Sequence, residues 1–304
     1  MPQPKRVRFY LEDDLRDSAA TGRHNFISKI VQVLERSGFE VGFHPNTPAE
    51  RLKAIGRRGY GLCHMTPPPN ARCLTFRRVY HYPFWQIQPS DKRWEWDVAT
   101  VQFDPDTCPE AEADRFFGYW RKRICGDLLN EIADDGFIYI PLQGRLTEQR
   151  SFQSCSPIEM ISKTRAACPH QQIIATLHPK ETYAADEVAQ LHALASADPL
   201  LRIDKGGRDR FLPRCSFIVT QTSGVAFDGM FFGKPAVLFG QTDFHHMARN
   251  GQYPGAFENV ADHVLDYAKY VWWVWQHMAI NAGHDSAGAK IAAKLSAAGW
   301  PVEA

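Results

Sequence analysis

The sequence predicts an α/β protein made of two Rossmann-like domains, with C-terminal helices that cross back. Three observations carry this. Strand-like and helix-like patterns alternate from residue 6, a second alternating set begins at Gly136 after a long helical stretch, and 304 residues suffice for two domains of ordinary size. The expected divisions are 1–134, 135–258 and a helical tail, 259–304.

Residues 6–11 (RVRFYL) alternate as a strand and lead into a polar loop, 12–22. In 24–37 the apolar residues Phe26, Ile27, Ile30, Val31, Val33 and Leu34 form a helix face, stopped by Gly38. Residues 39–44 are a second strand, 48–57 a helix and 60–65 a third strand. From 66 to 109 the periodicity fails, and Tyr80, Tyr82, Phe84, Trp85, Trp94 and Trp96 suggest either an irregular packed excursion or a ligand-receiving surface. Residues 110–134 read as one long helix placed to link the domains.

The second set is more regular. Strands are expected at 137–143, 172–177, 201–203, 217–220 and 236–239, with helices at 156–168, 184–197 and 225–232 and a short helix or turn at 209–215. In the tail, Val264, Tyr267, Val271, Trp275 and Met278 fall on one helical stripe. The stripe fits a core helix, with an interfacial contact to a membrane or partner as the alternative.

Composition narrows the function classes. Thirty-five basic against 34 acidic side chains give a net charge of +1, so no global field draws nucleic acid. Short clusters such as Gly56-Arg57-Arg58-Gly59 read as solvated loop. Seven scattered cysteines, none in a C-x-x-C pair, favour reduced thiols over a disulfide frame or zinc site. The N-terminus has no apolar signal segment, and no run reaches the roughly 18 apolar residues that span a bilayer. The expectation is a cytoplasmic protein, associated at most with the inner face of the membrane. No His/Asp/Glu spacing resembles a metal site, the adjacent His245 and His246 included. Neither a phosphate-binding G-x-x-x-x-G-K-[ST] loop nor a G-x-S-x-G elbow occurs.

Three strand ends in the second half carry polar groups that a parallel sheet would set side by side. They are 141–145 (PLQGR) with Gln143, 177–181 (LHPKE) with His178 and Lys180, and 221–224 (QTSG) with Gln221, Thr222, Ser223 and Gly224. An imidazole, an ammonium, hydroxyls and free N–H groups suit a phosphate. The plainer readings stand beside this one: Thr222 or Ser223 caps the following helix, His178 is structural, and Lys180 is solvated.

Together FIYIPLQ, LHPK and VTQTSGVAFDGMFFGKPAVLFG resemble the capsular polysaccharide synthesis glycosyltransferases, bacterial β-Kdo transferases among them. The shared features are a strand-end His-Pro, a Ser/Thr-Gly turn before an apolar helix, and a Gly-Lys-Pro before the last strand. The resemblance covers residues 137–251 and implies the glycosyltransferase B type of fold. It also implies a nucleotide-sugar donor, CMP-Kdo in the best understood branch, bound by the second domain as co-substrate without a further cofactor. The acceptor would be a glycan or lipid-linked glycan, received by the first domain. On that resemblance His178 and Lys180 meet the donor phosphate, and Gln221, Thr222 and Ser223 complete its cradle. Asp228 stands where relatives place a Glu against the ribose, with a shorter reach.

Transfer also needs a carboxylate or imidazole near the sugar carbon. The loop after the first strand offers Asp13, Asp14, Asp17 and His24, which serve equally as a solvated turn with a cap. Two rival functions remain: a non-catalytic polysaccharide export or scaffold protein on the same fold, and a sugar-nucleotide epimerase or hydrolase.

Overall fold

The computed structural model describes residues 3–263 and 265–303. The chain forms two compact units, one of Met1–Asp97 with Trp273–Ala304 and the other of Val98–Trp272. The first unit therefore takes back the C-terminal segment.

In the first unit, β1 (Arg6–Leu11) is followed by α1 (Asp13–Ala20) and α2 (Asn25–Arg36), then β2 (Glu40–Pro45), α3 (Pro48–Gly56), β3 (Tyr60–His64), β4 (Cys73–Arg78) and β5 (Phe84–Gln88). A short turn, α4 (Asp97–Thr100), leads out of it. The second unit holds α5 (Glu110–Cys125), β6 (Phe137–Pro141), α6 (Pro157–Ala167), β7 (Gln172–Leu177), α7 (Ala185–Ala197), β8 (Leu201–Lys205), α8 (Arg208–Phe211), β9 (Phe217–Thr220), α9 (Gly224–Gly229), β10 (Ala236–Leu238), β11 (Arg249–Asn250) and α10 (Tyr267–Trp272). The returning segment adds β12 (Ile280–Asn281) and α11 (Ala287–Ala297) to the first unit.

The first sheet has the order β12-β5-β4-β3-β1-β2. Strands β2, β1, β3 and β4 run parallel, while β5 and β12 join antiparallel. The second sheet, β11-β10-β9-β6-β7-β8, is parallel throughout. In each, the first strand lies inside the sheet and the chain winds outward to both sides. That creates a topological switch point between β1 and β3, and another between β6 and β9, where such sheets leave a crevice at their carboxyl ends. The second opening is visible in the register. The β6–β9 ladder pairs only Ile138 with Phe217 and Tyr139 with Ile218, whereas β6–β7 pairs through Pro141.

Several elements differ from the sequence expectation. Residues 13–20 are helical, since Asp13 and Asp14 suit a helix N-terminus and Arg16 pairs with Asp13 at 3.0 Å. The excursion at 66–109 contributes β4 and β5. Every residue of β5 is buried, which removes the alternation a strand search relies on. The long helix stops at Gly126, whose φ of 51° ends the α-helical run, and a 3-10 segment continues to Glu131. It lies wholly in the second unit. The tail is a broken series: α10, a π-helical turn over Trp273–Met278, β12 and α11.

Each unit has its own core. In the first, Phe26, Ile27 and Ile30 of α2 pack with Phe9, Phe76 and Trp85 and with Ile291 and Leu295 of α11. In the second, β6, β7, β9 and β10 supply Ile138, Ile140, Ile173, Val219 and Val237. Tyr267, Val271, Trp273 and Trp275 are buried, so this stretch offers no tryptophan-rich face to a bilayer. Val264 of the predicted stripe lies outside the described residues. The seven cysteines are buried free thiols. No described helix is long and apolar enough to cross a membrane.

Candidate functional site

A cavity of about 540 Å³ opens at the carboxyl end of the second sheet, at its switch point. Four successive strand ends line it: Pro141, Leu142 and Gln143 after β6; Leu177, His178 and Pro179 after β7; Gly206 to Arg210 after β8; and Ser223 and Val225 after β9. Tyr139 and Thr176 form its floor, joined by a 3.2 Å hydroxyl–hydroxyl bond, and burial pushes the Tyr139 phenol up to about 12.

Of the residues expected here, Gln143, His178 and Ser223 line the cavity together. The backbone N–H of His178 is fixed by Tyr183 Oη at 2.9 Å, and its Nδ1 accepts from the Lys180 N–H at 3.3 Å. A neutral imidazole whose Nδ1 accepts carries its proton on Nε2, so His178 retains one N–H donor. Ser223 caps α9 by accepting from Val225 N at 3.3 Å, with Gly224 beginning that short helix. Lys180 is exposed and is not a lining residue, and Gln221, Thr222, Gly224 and Asp228 also stand outside the lining. Gln221 is buried beneath the turn, donating to the Cys155 carbonyl at 2.9 Å while its Oε1 finds no partner. Lys234 of the Gly-Lys-Pro break is buried and donates to the Ala133 carbonyl at 2.6 Å, a structural role.

Asp228 is engaged by Arg208. The Arg208 Nε and Nη2 approach its Oδ2 at 3.1 and 2.9 Å, and Nη1 meets Asp209 at 2.6 Å. Burial works against the guanidinium, yet these two carboxylates hold its pKa above the ordinary value. Arg210 pairs with Asp204 and lies over the Phe211 ring. The arginines at this mouth are thus already matched by acids.

A second cavity, of about 570 Å³, lies within the first unit at its own switch point. Glu12, Asp14 and Leu15 line it from beyond β1, and His64, Met65 and Thr66 from the end of β3; His24, Arg78 and Trp85 complete the wall. His64 Nδ1 lies 2.7 Å from Glu12 Oε2. Asn46 donates to Glu12 Oε1 at 3.0 Å and to the His64 carbonyl at 3.1 Å, and Arg51 holds the Asn46 amide oxygen at 2.9 Å. Partial burial opposes the Glu12 charge, but the bonds from His64, from its own backbone N–H and from Asn46 outweigh it and keep its pKa below the usual range. A carboxylate can only accept, so His64 Nδ1 carries the hydrogen and a neutral ring leaves Nε2 as the basic atom.

His24 and Asp14 therefore share this cavity, both placed by helices rather than by a loop. His24 is the N-cap of α2, accepting from Ile27 N at 3.2 Å and packing edge-on against Trp85. Burial holds its pKa below that of a free histidine. Asp14 is exposed on α1; Asp17, on the same helix, is not among the lining residues.

Sequence reasoning missed Glu12, His64 and Arg78 here, and Gly206, Gly207, Arg208 and Arg210 in the second unit. The signal was available for most. The strand-end rule applied to β6, β7 and β9 also selects Glu12 after β1, His64 at the end of β3, and the Gly-Gly-Arg run after β8. Among the described residues, no group of three or more His, Cys, Asp or Glu side chains is arranged to hold a metal ion.

No family model and no curated protein matches the chain. Among solved structures, the KpsC β-Kdo 2,7 transferase of Thermosulfurimonas dismutans aligns over 88% of this chain and 88% of its own, at 13% identity and a TM-score of 0.48. The KpsC β-Kdo 2,4 transferase of the same organism aligns over 88% and 90%, at 10% identity and 0.45. A variant of the wall teichoic acid polymerase TagF aligns over 98% and 90%, at 10% identity and 0.31.

Proposed function

We propose that this protein is a glycosyltransferase that moves a sugar from a nucleotide donor to a hydroxyl of a glycan or lipid-linked glycan. The observation that carries the reading is the convergence of four strand ends on one switch-point cavity, with Gln143, His178 and Ser223 on its wall. Crevices of this kind suit a nucleotide. His178 Nε2–H and the Ser223 hydroxyl would hold the phosphate that departs, and the Gly206-Gly207 turn would let the nucleoside approach backbone. Asp228 would act through Arg208, not directly on the ribose. CMP-Kdo is the donor to try first, on the motif resemblance over residues 137–251.

In the first unit, a hydroxyl bound in the cavity would give its proton to His64 Nε2 while Glu12 stabilises the imidazolium. Asp14 supplies a second carboxylate at the rim, and His24, its Nδ1 occupied by the helix cap, serves as wall. A nucleotide donor implies work on the cytoplasmic side, with capsular or other surface glycan as product.

One observation favours the non-catalytic rival: Arg208 and Arg210 are already matched by carboxylates. Incubation with CMP-Kdo and with UDP- and GDP-sugars, followed by nucleotide release, separates the two. The transferase reading expects slow release from one donor, lost in His178→Ala. Binding without release, or release indifferent to His178→Ala, would overturn it.

A further inference from the structure

Helix α3 and the turn after it carry a surface that nothing in the proposed reaction uses. Leu52 is 70% exposed and Ile55 53%, and their three-residue spacing sets them on one face of the helix. Ala54 is buried, its carbonyl accepting from Asn70 at 3.1 Å, so the helix is anchored by its other side. Along the same stretch of chain, Arg51, Lys53, Arg57 and Arg58 stand against one acid, Glu50. Four cations less one anion leave this stretch at +3, while the whole chain carries only +1. Glu50 is occupied by Lys53 at 2.7 Å and Arg57 at 2.8 Å.

We infer that α3 with the Arg57-Arg58 turn docks on an anionic lipid surface, Leu52 and Ile55 entering the acyl boundary and the cations meeting headgroup phosphates. Two aliphatics on a nine-residue helix form a small apolar area. A specific protein partner needs about 800 Å² per side and matching shape, whereas a bilayer needs neither. A polyanion such as nucleic acid would use the cations but gain nothing from Leu52 and Ile55. Cations beside exposed aliphatics are the combination that an anionic leaflet attracts. Helix α3 is also tied to the first-unit cavity, because Arg51 holds Asn46, which in turn holds Glu12 and His64. A bilayer on α3 would bring that cavity to the lipid interface, where a lipid-linked acceptor resides. The inference stands whether or not the transferase reading does.

The test is co-sedimentation of the full chain with vesicles of phosphatidylcholine alone and of phosphatidylcholine mixed with phosphatidylglycerol. Binding is expected only to the mixed vesicles, and it should weaken as salt shortens the Debye length to about 8 Å. The double variant Leu52→Glu/Ile55→Glu should lose about tenfold or more in binding, because the apolar insertion is gone and like charge faces the headgroups. Arg58→Glu should weaken binding mainly at low salt. Both variants replace exposed side chains, so an unchanged unfolding midpoint and unchanged nucleotide binding accompany the expected result. Failure to sediment with the mixed vesicles would overturn the inference. So would equal binding to both vesicle types, binding unchanged in both variants, or a variant effect confined to self-association or to capture of a protein.

Discussion

His64 and Glu12 form a 2.7 Å hydrogen-bonded pair on the wall of the first-unit cavity, one at the end of β3 and the other just past β1. The pair predicts the titration of its carboxylate. With His64→Leu, burial still opposes the Glu12 charge while its chief bond is lost, so its pKa should rise from its depressed position toward or above the ordinary value. Carboxyl-carbon NMR of the two proteins reads this directly. A depressed folded pKa contributes stability above the unfolded value and loses it as pH falls, so the parent should weaken in mild acid more than the variant does. An unmoved Glu12 would mean that His64 does not hold it.

Arg208 and Asp228 predict a stability difference between two neighbouring carboxylates. Asp228 is mostly buried and takes two guanidinium nitrogens, whereas Asp209 is exposed. Asp228→Ala should cost about 1–3 kcal/mol in urea unfolding, since it takes two charge-assisted bonds from the part-buried Arg208 and leaves it only Asp209. Asp209→Ala should cost under about 1 kcal/mol, as exposed pairs do. Equal losses would contradict the pairing described here.

A third prediction concerns acid. His246 stacks on His245 with ring centroids 4.2 Å apart, and its Nε2 lies 3.1 Å from the Val101 carbonyl. Burial, then the neighbouring His245, lowers its pKa to about 4. In the unfolded chain it titrates near 6.5. Stability from this group is therefore complete above about 6.5 and is lost as pH falls toward 4, because the unfolded state takes up the proton first. With its partial solvent access, the loss should be about 1 kcal/mol. His246→Gln should flatten the pH dependence of the urea midpoint over that window.

The Gln-Thr-Ser-Gly turn depends on Gly240. A Cβ there would come within 2.8 Å of Thr222 Cγ2 and 3.0 Å of the Gln221 carbonyl oxygen. Gly240→Ala should displace this turn, costing about 1–3 kcal/mol as overpacking does. Nucleotide affinity should fall with it. Thermal melts with and without CMP would register both effects.

How far the sequence could be read follows from these residues. The second sheet was legible because its strands are short apolar runs bounded by polar turns, and β6, β7 and β9 stand where that pattern sets them. Strand β5 was not, because Phe84 to Gln88 is buried throughout, polar Gln86 and Gln88 included, so neither alternation nor a uniform apolar run marks it. Helix α1 hid inside a polar stretch whose acids are stabilised by its N-terminus, not by a core. At the site, His178 and Ser223 were visible as strand-end residues. The Arg208–Asp228 pairing, spanning twenty positions, was invisible because only the folded unit brings α8 and α9 together. Glu12 and His64 each stand at a strand end where the same rule selects them, but their pairing across 52 residues is supplied only by the fold.

The central claim is that the switch-point cavity of the second unit receives a nucleotide. Calorimetric titration of the full chain with CMP, UDP and GDP tests it most directly. One of the three should bind at a single site, with affinity reduced at least about tenfold in His178→Ala, the loss of one charge-assisted hydrogen bond. No heat of binding from any of the three, or binding untouched by His178→Ala, would contradict the account.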